Sequence, residues 1–167
     1  MPGSLRFLPV HILELPTAVS GSPYWLLESL LTGSYTRFSN NMGYINEAQE
    51  AELAHAFSHW THSVSEGRLM VTDLQGTRRG NAYTLTDAAI HCPLDMMRFG
   101  ACNQGAVGID AFFETHRCAS VCAALGLQHQ ITADMIDSAQ DSYYWSTGGS
   151  ETTGRDARPA QLDVIKE

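Results

Sequence analysis

Bulky apolar residues alternate with other types near the start of the chain, in LRFLPVHILEL at 5–15, which predicts a β-strand. A second apolar run occupies 24–31, and a loop rich in Asn and Gly is predicted at 39–46. The stretch RLMVTDL at 68–74 predicts a buried strand, whereas the residues from 75 to about 84 predict a loop. The first half of the chain therefore supplies a modest sheet.

A helical pattern is clearest over residues 46–62. Leu53, Phe57 and Trp60 recur at intervals of three and four, so they share one face of a helix. Asn46 is expected to cap the start, because its side-chain oxygen can accept from a backbone N–H of the first turn. This segment is the strongest helix prediction in the chain.

Further helices are predicted at 106–116 and 118–125, the second ending at Gly126. A short helix is plausible at 132–140, as part of an extension over 128–141. The remainder, 142–167, is rich in Ser, Thr and Gly and then charged, which predicts a disordered tail. The fold class that follows is α+β.

Composition and charge narrow the function. The chain has 167 residues, of which 44% are hydrophobic and 17% charged, and its net charge is -8. An acidic chain repels a phosphate backbone, so no nucleic-acid partner is expected. No run approaches the roughly 20 apolar residues of a membrane span, so no membrane partner is expected. The four cysteines are sparse, which favours a reducing, cytoplasmic compartment and metal binding near histidines.

A metal site is indicated by His116, Cys118 and Cys122 in the segment FFETHRCASVC. If the helix begins near 117, both sulfurs lie on one face, because residues four apart are neighbours. Thiolate and imidazole ligands in a closed four-coordinate set are typical of structural zinc. The fourth ligand stays open at this point among three histidines of the preceding helix, His55, His59 and His62. The alternative is that both cysteines are small buried core residues.

A polar cluster follows the strand at 68–74. Asp73, Gln75 and Asp87 offer oxygen ligands for Mg²⁺ and a base for a hydroxyl nucleophile. The alternative is a turn carboxylate together with an Asp87 that caps a short helix. A Gly-interrupted loop at 99–109 could present backbone N–H groups to an anion or a peptide.

These motifs occur in a fixed order along the chain: YWLLESLLTG, RFSNNMG, AFSHW, LMVTDLQG, LTDAAIH, FGACNQG and FFETHRCASVC. The succession closely resembles the C-terminal part of the alpha-kinase family of atypical serine/threonine protein kinases, over residues 5–127. The resemblance implies a protein-kinase-like C-terminal lobe with a structural zinc site, preceded by the last strands of the N-terminal lobe and the hinge. It also implies ATP and Mg²⁺ as cofactors and a protein substrate.

The resemblance assigns roles to individual residues. It implies that His59 completes the zinc site with His116, Cys118 and Cys122. Asp73 matches the aspartate that handles the proton of the substrate hydroxyl.

Three further matches concern the nucleotide. Gln75 matches an amide that helps to coordinate Mg²⁺, and Asp87 matches a second aspartate beside the metal and the phosphates. Glu28 matches the acidic hinge residue that contacts adenine. Asn103 and Gly105 fall in the loop of the family that is thought to position the peptide substrate.

The sequence also departs from the family pattern. Its only lysine is Lys166, so the resemblance assigns no residue to the lysine that clamps the ATP phosphates. The stretch around 78–83 is lengthened by about four residues relative to the family. The resemblance thus implies an alpha-type kinase domain that is truncated at its N-terminal lobe. The alternative function is a non-catalytic, zinc-stabilised binding module.

Overall fold

A computed structural model describes residues 3–19 and 22–128 of the chain. The strands in this part are β1 (Ser4–Phe7), β2 (His11–Val19), β3 (Ser22–Leu27), β4 (Tyr35–Arg37), β5 (Met70–Thr72), β6 (Gln75–Arg79), β7 (Ala82–Thr86) and β8 (Ala89–His91). The helices are α1 (Glu52–Val64), which follows a 3₁₀ turn (Gln49–Ala51), α2 (Gly105–Thr115) and α3 (Ser120–Ala124). The α+β class predicted from the sequence is confirmed.

The largest sheet has the strand order β1-β7-β6-β4. β1 runs parallel to β7, and the other neighbours in this sheet are antiparallel. One face is covered by α1 and the 3₁₀ turn, where apolar side chains of both layers form the main core. The buried members of that core are Leu5, Phe38, Ala51, Ala54, Phe57, Leu74, Tyr83 and Leu85.

Two smaller antiparallel sheets complete the architecture, β2 with β3 and β5 with β8. α1 also packs against β5 and α3, and α2 packs against β8. A second apolar cluster joins β5 to α2 through Met70, Ile109, Phe112 and Phe113. The helices and the β5–β8 sheet therefore pack together around α1.

The strand predicted over 5–15 is two strands. β1 ends at Phe7, and the N–H of Leu8 still donates to the Leu85 carbonyl at 2.8 Å. Pro9 has no N–H to give to a ladder, so the chain leaves the large sheet there. It then enters the β2–β3 hairpin, which also contains the apolar run at 24–27.

The loop predicted over 75–84 is wrong, because these residues form the β6–β7 hairpin. Gly80 and Asn81 make its two-residue turn, with Gly80 at a φ of +60°. The polar character that suggests a loop belongs to the outer face of the sheet. On the inner face Tyr83 and Leu85 are buried, as alternation requires.

The helix predicted over 46–62 is confirmed, but its start is not Asn46. The α-helix begins at Glu52 after the 3₁₀ turn, and Asn46 accepts from the N–H of Ala48 at 3.0 Å. The helix predicted over 106–116 is confirmed as α2. In the described part of the chain, no helix has the length and apolar character needed to cross a bilayer. The predictions for 132–140 and 142–167 lie outside the described residues.

Gly108 in the middle of α2 provides a test of how closely this helix packs. A Cβ added there would lie 2.5 Å from Cε1 and 2.7 Å from Cδ2 of the His91 ring. Glycine to alanine normally stabilises a helix by about 1 kcal/mol. Here we expect Gly108→Ala to lower the free energy of unfolding by about 1–3 kcal/mol, because the methyl overpacks the contact.

Denaturant unfolding monitored by circular dichroism measures this change. Val107→Ala is the matched control, since Val107 lies in the same helix and is 65% exposed. A Gly108→Ala variant as stable as the wild type, or more stable, would contradict the packing described.

Candidate active site and metal cluster

Four side chains of the types that bind metals converge at α1. The ligand atoms of His59, His116, Cys118 and Cys122 all lie within 4.8 Å of one another. Cys118 Sγ is 3.6 Å from His59 Nδ1 and 3.7 Å from His116 Nε2. Cys122 Sγ is 3.5 Å from His116 Nε2. The group could hold one metal ion.

These distances fit a tetrahedral ion. Nitrogen and sulfur ligands at the usual zinc bond lengths are separated by about 3.6 Å along a tetrahedron edge. Burial raises the pKa of the Cys122 thiol to about 12, so its thiolate form requires a compensating positive charge. A cation bound by the sulfur would supply that charge. The donor set and its spacing therefore suit a thiolate-binding metal.

The helix predicted over 118–125 is shorter than expected and does not include Cys118. α3 begins only at Ser120, so Cys118 lies in the extended segment before the helix. Glu52 of α1 accepts from the Val121 N–H at 2.8 Å and from the Ser120 hydroxyl at 2.7 Å. A carboxylate thus caps the exposed N–H groups of α3 from a neighbouring helix.

The two other histidines of α1 have different surroundings. His55 Nε2 lies 2.8 Å from the Phe38 carbonyl, and burial lowers the pKa of His55. Burial also lowers the pKa of His62, which packs edge-on against Phe113. Of the three histidines left open by helical spacing, His59 is the one that lies beside both cysteines.

A second polar site lies where β5 ends and β6 begins. Asp73 occupies the turn between these strands with a φ of +54°, and Asp87 follows β7 with a φ of +50°. Non-glycine residues rarely adopt this left-handed region, although Asp tolerates it better than most. The short helix weighed for Asp87 is absent, because Asp87 connects the strands β7 and β8.

Gln75 holds the two aspartate turns together. Its Nε2 donates to the carbonyl oxygens of Asp73 and Asp87, at 3.5 and 3.4 Å. Its Oε1 accepts from Arg37 at 2.9 Å. The amide oxygen expected to face a metal ion is therefore engaged by a guanidinium in this structure.

Arg37 also sets the charge on Asp73. One guanidinium nitrogen lies 3.7 Å from Asp73 Oδ1, whose side chain is 16% exposed. Burial raises the pKa of Asp73, Arg37 opposes that rise, and the negative charge of Asp87 adds to it. The net direction is upward, toward a carboxyl that takes up a proton more readily than an exposed aspartate.

Glu28 follows β3 at the point expected for a hinge. Its Oε2 accepts a hydrogen bond from the Thr86 hydroxyl at the end of β7. This contact joins the β2–β3 hairpin to the large sheet, one residue before Asp87. A half-buried carboxylate therefore lies next to the turn that carries the second aspartate.

Asn103 organises the loop between β8 and α2 from within. Its Oδ1 accepts from the N–H groups of Cys92 and Gly105, both at 2.9 Å. Its Nδ2 donates to the carbonyls of Asp95 and Arg98, at 3.0 and 2.9 Å. Asn103 is only 5% exposed, so this side chain shapes the loop rather than presenting its amide at the surface.

Gly105 allows the loop to turn into α2. Its φ is +56°, and an added Cβ would collide with the thioether of Met96. Both demands exclude side chains at this position. Asn103 and Gly105 thus act together as the base of the loop at 93–104.

Sequence reasoning did not identify Arg37, Glu52 or Thr86 as site residues. Each belongs to the site because of a long-range contact that no local sequence pattern predicts. The β4–β6 register, for example, sets Arg37 opposite Gln75. Arginine in a short extended piece is ordinary. A partner across the sheet, known only from the tertiary structure, makes it part of the site.

Comparison with known proteins identifies relatives of this arrangement. The model of the alpha-kinase family matches residues 1–122. Alpha-protein kinase vwkA from Dictyostelium discoideum is 39% identical over 104 residues, which are 62% of this chain and 16% of the relative. Eukaryotic elongation factor 2 kinase from Caenorhabditis elegans is 35% identical over 128 residues, 77% of this chain and 16% of the relative.

A solved structure shows the same fold. It is the alpha-kinase domain of myosin-II heavy chain kinase A in complex with AMP-PNP, with a TM-score of 0.67 and 34% identity. The alignment covers 77% of this chain and 48% of that one. This chain therefore spans about half of the solved domain and about a sixth of the curated relatives.

The ion pair at the candidate active site leads to a prediction on Asp73. We expect Arg37→Gln to raise the pKa of Asp73 further, because it removes the positive charge that opposes burial. Arg37→Lys should raise it less, since the charge remains, and Arg68→Gln, on an exposed arginine paired with Glu66, should leave it unchanged. Titration of the side-chain carboxyl by carbon-13 NMR measures these values.

The direction of the Asp73 pKa shift also sets how the contribution of Asp73 to stability changes with pH. A folded-state pKa above the unfolded value favours the protonated carboxyl in the fold. The stabilising contribution of Asp73 is therefore full below the unfolded pKa and is lost as the pH rises through the folded one. An Asp73 pKa that stays constant or falls in Arg37→Gln would contradict the charge balance described.

Proposed function

This chain belongs to the alpha-kinase family, and we propose that it forms the catalytic lobe of a kinase that transfers phosphate from ATP to serine or threonine of a protein. The observation that carries the proposal is the convergence of Asp73 and Asp87 on Gln75. Two aspartates of separate strand exits are tied by the same amide. Phosphoryl transfer needs positioned carboxylates and charge neutralisation rather than a covalent catalyst.

Asp73 is proposed as the group that accepts the proton of the substrate hydroxyl. Its raised pKa brings it closer to the pH at which it works, which favours a general base. Arg37 favours its ionised form, because a guanidinium nitrogen lies 3.7 Å from the carboxylate. The protein substrate is proposed from the relatives, which are protein kinases by name.

Asp87 and Gln75 are proposed to hold Mg²⁺. Carboxylate and amide oxygens are the ligand types that this ion prefers. Asp87 is exposed, so its carboxylate is available, whereas Gln75 would have to exchange its bond with Arg37. The ion, when bound, neutralises charge on the phosphates.

Two further assignments concern the ligands. Glu28 is proposed to contact the adenine, since it lies at the end of the β2–β3 hairpin beside Thr86. The loop based on Asn103 and Gly105 is proposed to position the peptide substrate. Asn103 would do so by shaping the loop, because its own amide is used inside it.

The cluster of His59, His116, Cys118 and Cys122 is proposed to bind zinc in a structural role. Two cysteines and two histidines form a closed tetrahedral set, which leaves no open position for a reacting water. The site joins α1, the end of α2 and α3, and α3 has only five residues. Zinc would thus hold a helix that is too short to be stable on its own.

Metal analysis tests the zinc assignment. We expect about one zinc per chain in the natively purified protein. Cys122→Ser should lose the metal and lower the melting temperature sharply, because structural zinc contributes directly to folding. Cys92→Ser is the matched control, since Cys92 is also buried but lies outside the cluster. Zinc that is absent from the wild type, or retained in Cys122→Ser, would refute the assignment.

Phosphate transfer from radiolabelled ATP with Mg²⁺ to casein tests the catalytic assignment. We expect Asp73→Asn to reduce the rate by about a hundredfold or more, as loss of a general base does. ATP binding by calorimetry and the melting temperature should stay close to wild type. Asp110→Asn, in the exposed face of α2, is the control for loss of a carboxylate.

Two outcomes would contradict the kinase proposal. An Asp73→Asn variant as active as the wild type would remove Asp73 from the reaction. Failure of the wild-type chain to bind ATP with Mg²⁺ would favour the non-catalytic binding module for this chain.

A further inference from the structure

The outer face of the large sheet carries a recess that the proposed kinase function does not use. It has a volume of about 320 Å³ and lies toward the β6–β7 turn, at the opposite end of β7 from Asp87. Its lining consists of Ser4, Arg6, Thr77, Arg79, Ala82, Tyr83 and Thr84. The Tyr83 side chain belongs to the core, so the outer-face members of this lining supply two guanidinium groups and three hydroxyls around one cavity.

The strand register explains why these groups surround the recess. Arg6 of β1 and Thr77 of β6 both pair with Thr84 of the central strand β7. Two residues further toward the turn, Arg79 of β6 pairs with Ala82 of β7. Two strand spacings and two residues separate the Cα atoms of the arginines by roughly 12 Å. Ala82 carries only a methyl, so the floor between the two long side chains stays open.

The recess is positively charged in an acidic chain. The chain has a net charge of -8, yet none of the described residues that line this cavity is acidic. Neither Arg6 nor Arg79 forms an ion pair with any residue in the described ranges, whereas Arg37 and Arg68 do. Arg6 Nε donates to Thr84 Oγ1 at 3.1 Å, which orients its guanidinium along the sheet.

We propose that this recess binds a phosphomonoester or inorganic phosphate. Guanidinium groups bind phosphate oxygens in bidentate fashion with charge-assisted hydrogen bonds. The hydroxyls of Ser4, Thr77 and Thr84 offer further donors on the same face. The site is independent of the proposed kinase function, because it requires neither ATP nor Mg²⁺ and contains none of the residues assigned to catalysis.

The primary test is a titration of the full chain with inorganic phosphate at constant ionic strength, followed by nitrogen-15 NMR. We expect saturable shifts at Thr77, Thr84 and the side-chain Nε of Arg6. Arg79→Gln should weaken binding about tenfold or more, since it removes charge-assisted hydrogen bonds. Arg68→Gln is the matched control on another exposed arginine, and its binding should equal wild type.

A second variant protects the test against loss of structure. Arg6→Gln removes both a charge and the bond to Thr84, so its melting temperature is measured beside its affinity. Arg79→Gln removes an exposed side chain for which the structure shows no hydrogen bond to a described residue, so the fold should be unaffected. Shifts that do not saturate, or binding that is equally strong in the Arg6→Gln/Arg79→Gln double variant, would overturn the proposal.

Three ligands distinguish the sources of the phosphate. A phosphoserine peptide that binds more tightly than phosphate, when its unphosphorylated form does not bind, indicates a phosphorylated protein. AMP that binds more tightly indicates a nucleotide, and phosphate alone indicates the free anion. The Arg6→Gln/Arg79→Gln double variant should weaken binding of the ligand that occupies the recess while ATP binding with Mg²⁺ stays at the wild-type level, which separates this site from the proposed active site.

Discussion

The convergence of two histidines and two cysteines is the constraint on which the end of the described fold depends. α3 contains five residues, too few to persist by backbone hydrogen bonds alone, and Cys118 precedes it in extended chain. What fixes both is contact with His59 and His116, together with the Glu52 carboxylate that accepts from Val121. His59 lies on α1, which covers the inner face of the large sheet. The cluster therefore ties the end of the described fold to the helix that covers the sheet.

The candidate active site uses the backbone as much as the side chains. Asp73 and Asp87 occupy left-handed conformations at two strand exits. Such conformations persist where the surrounding structure holds them, and they occur often at active sites. Gln75 compensates part of their cost, since its amide donates to the carbonyl of each turn. Arg37 then binds both Gln75 and Asp73, so charge and geometry are set by one guanidinium. A change at Arg37 would disturb both properties together.

The β6–β7 hairpin contributes to both faces of the large sheet. Its inner residues Tyr83 and Leu85 belong to the core, which makes the hairpin a rigid part of the sheet. Its outer residue Arg79 shares a recess with Arg6 and carries no described acidic partner. A hairpin that is anchored on one face and charged on the other can present a binding surface without altering the fold.

Much of the site could be read from the sequence, because its chemistry is carried by rare residue types in tight spacing. His116, Cys118 and Cys122 stand within seven residues, and the DLQG motif indicates an aspartate at a strand exit. The LTD motif indicates a second aspartate, but its place after a strand became clear only from the structure. Family resemblance added Glu28 and singled out His59. The helices α1 and α2 could also be predicted, since the apolar stripe of a helix is a property of the local sequence.

Pairing between distant segments could not be predicted from the sequence. The polar hairpin at 75–86 resembles a loop until Tyr83 and Leu85 are seen to face the core, and the register of β4 with β6 is what brings Arg37 to Gln75. The same holds for the partnership of Arg6 and Arg79, which lie 73 positions apart and meet only across β7. The sequence by itself determined which residues carry the chemistry, because that is a matter of residue type and short spacing. The tertiary structure alone decided which of them are neighbours, because strand pairing and helix packing act between segments that no local pattern connects.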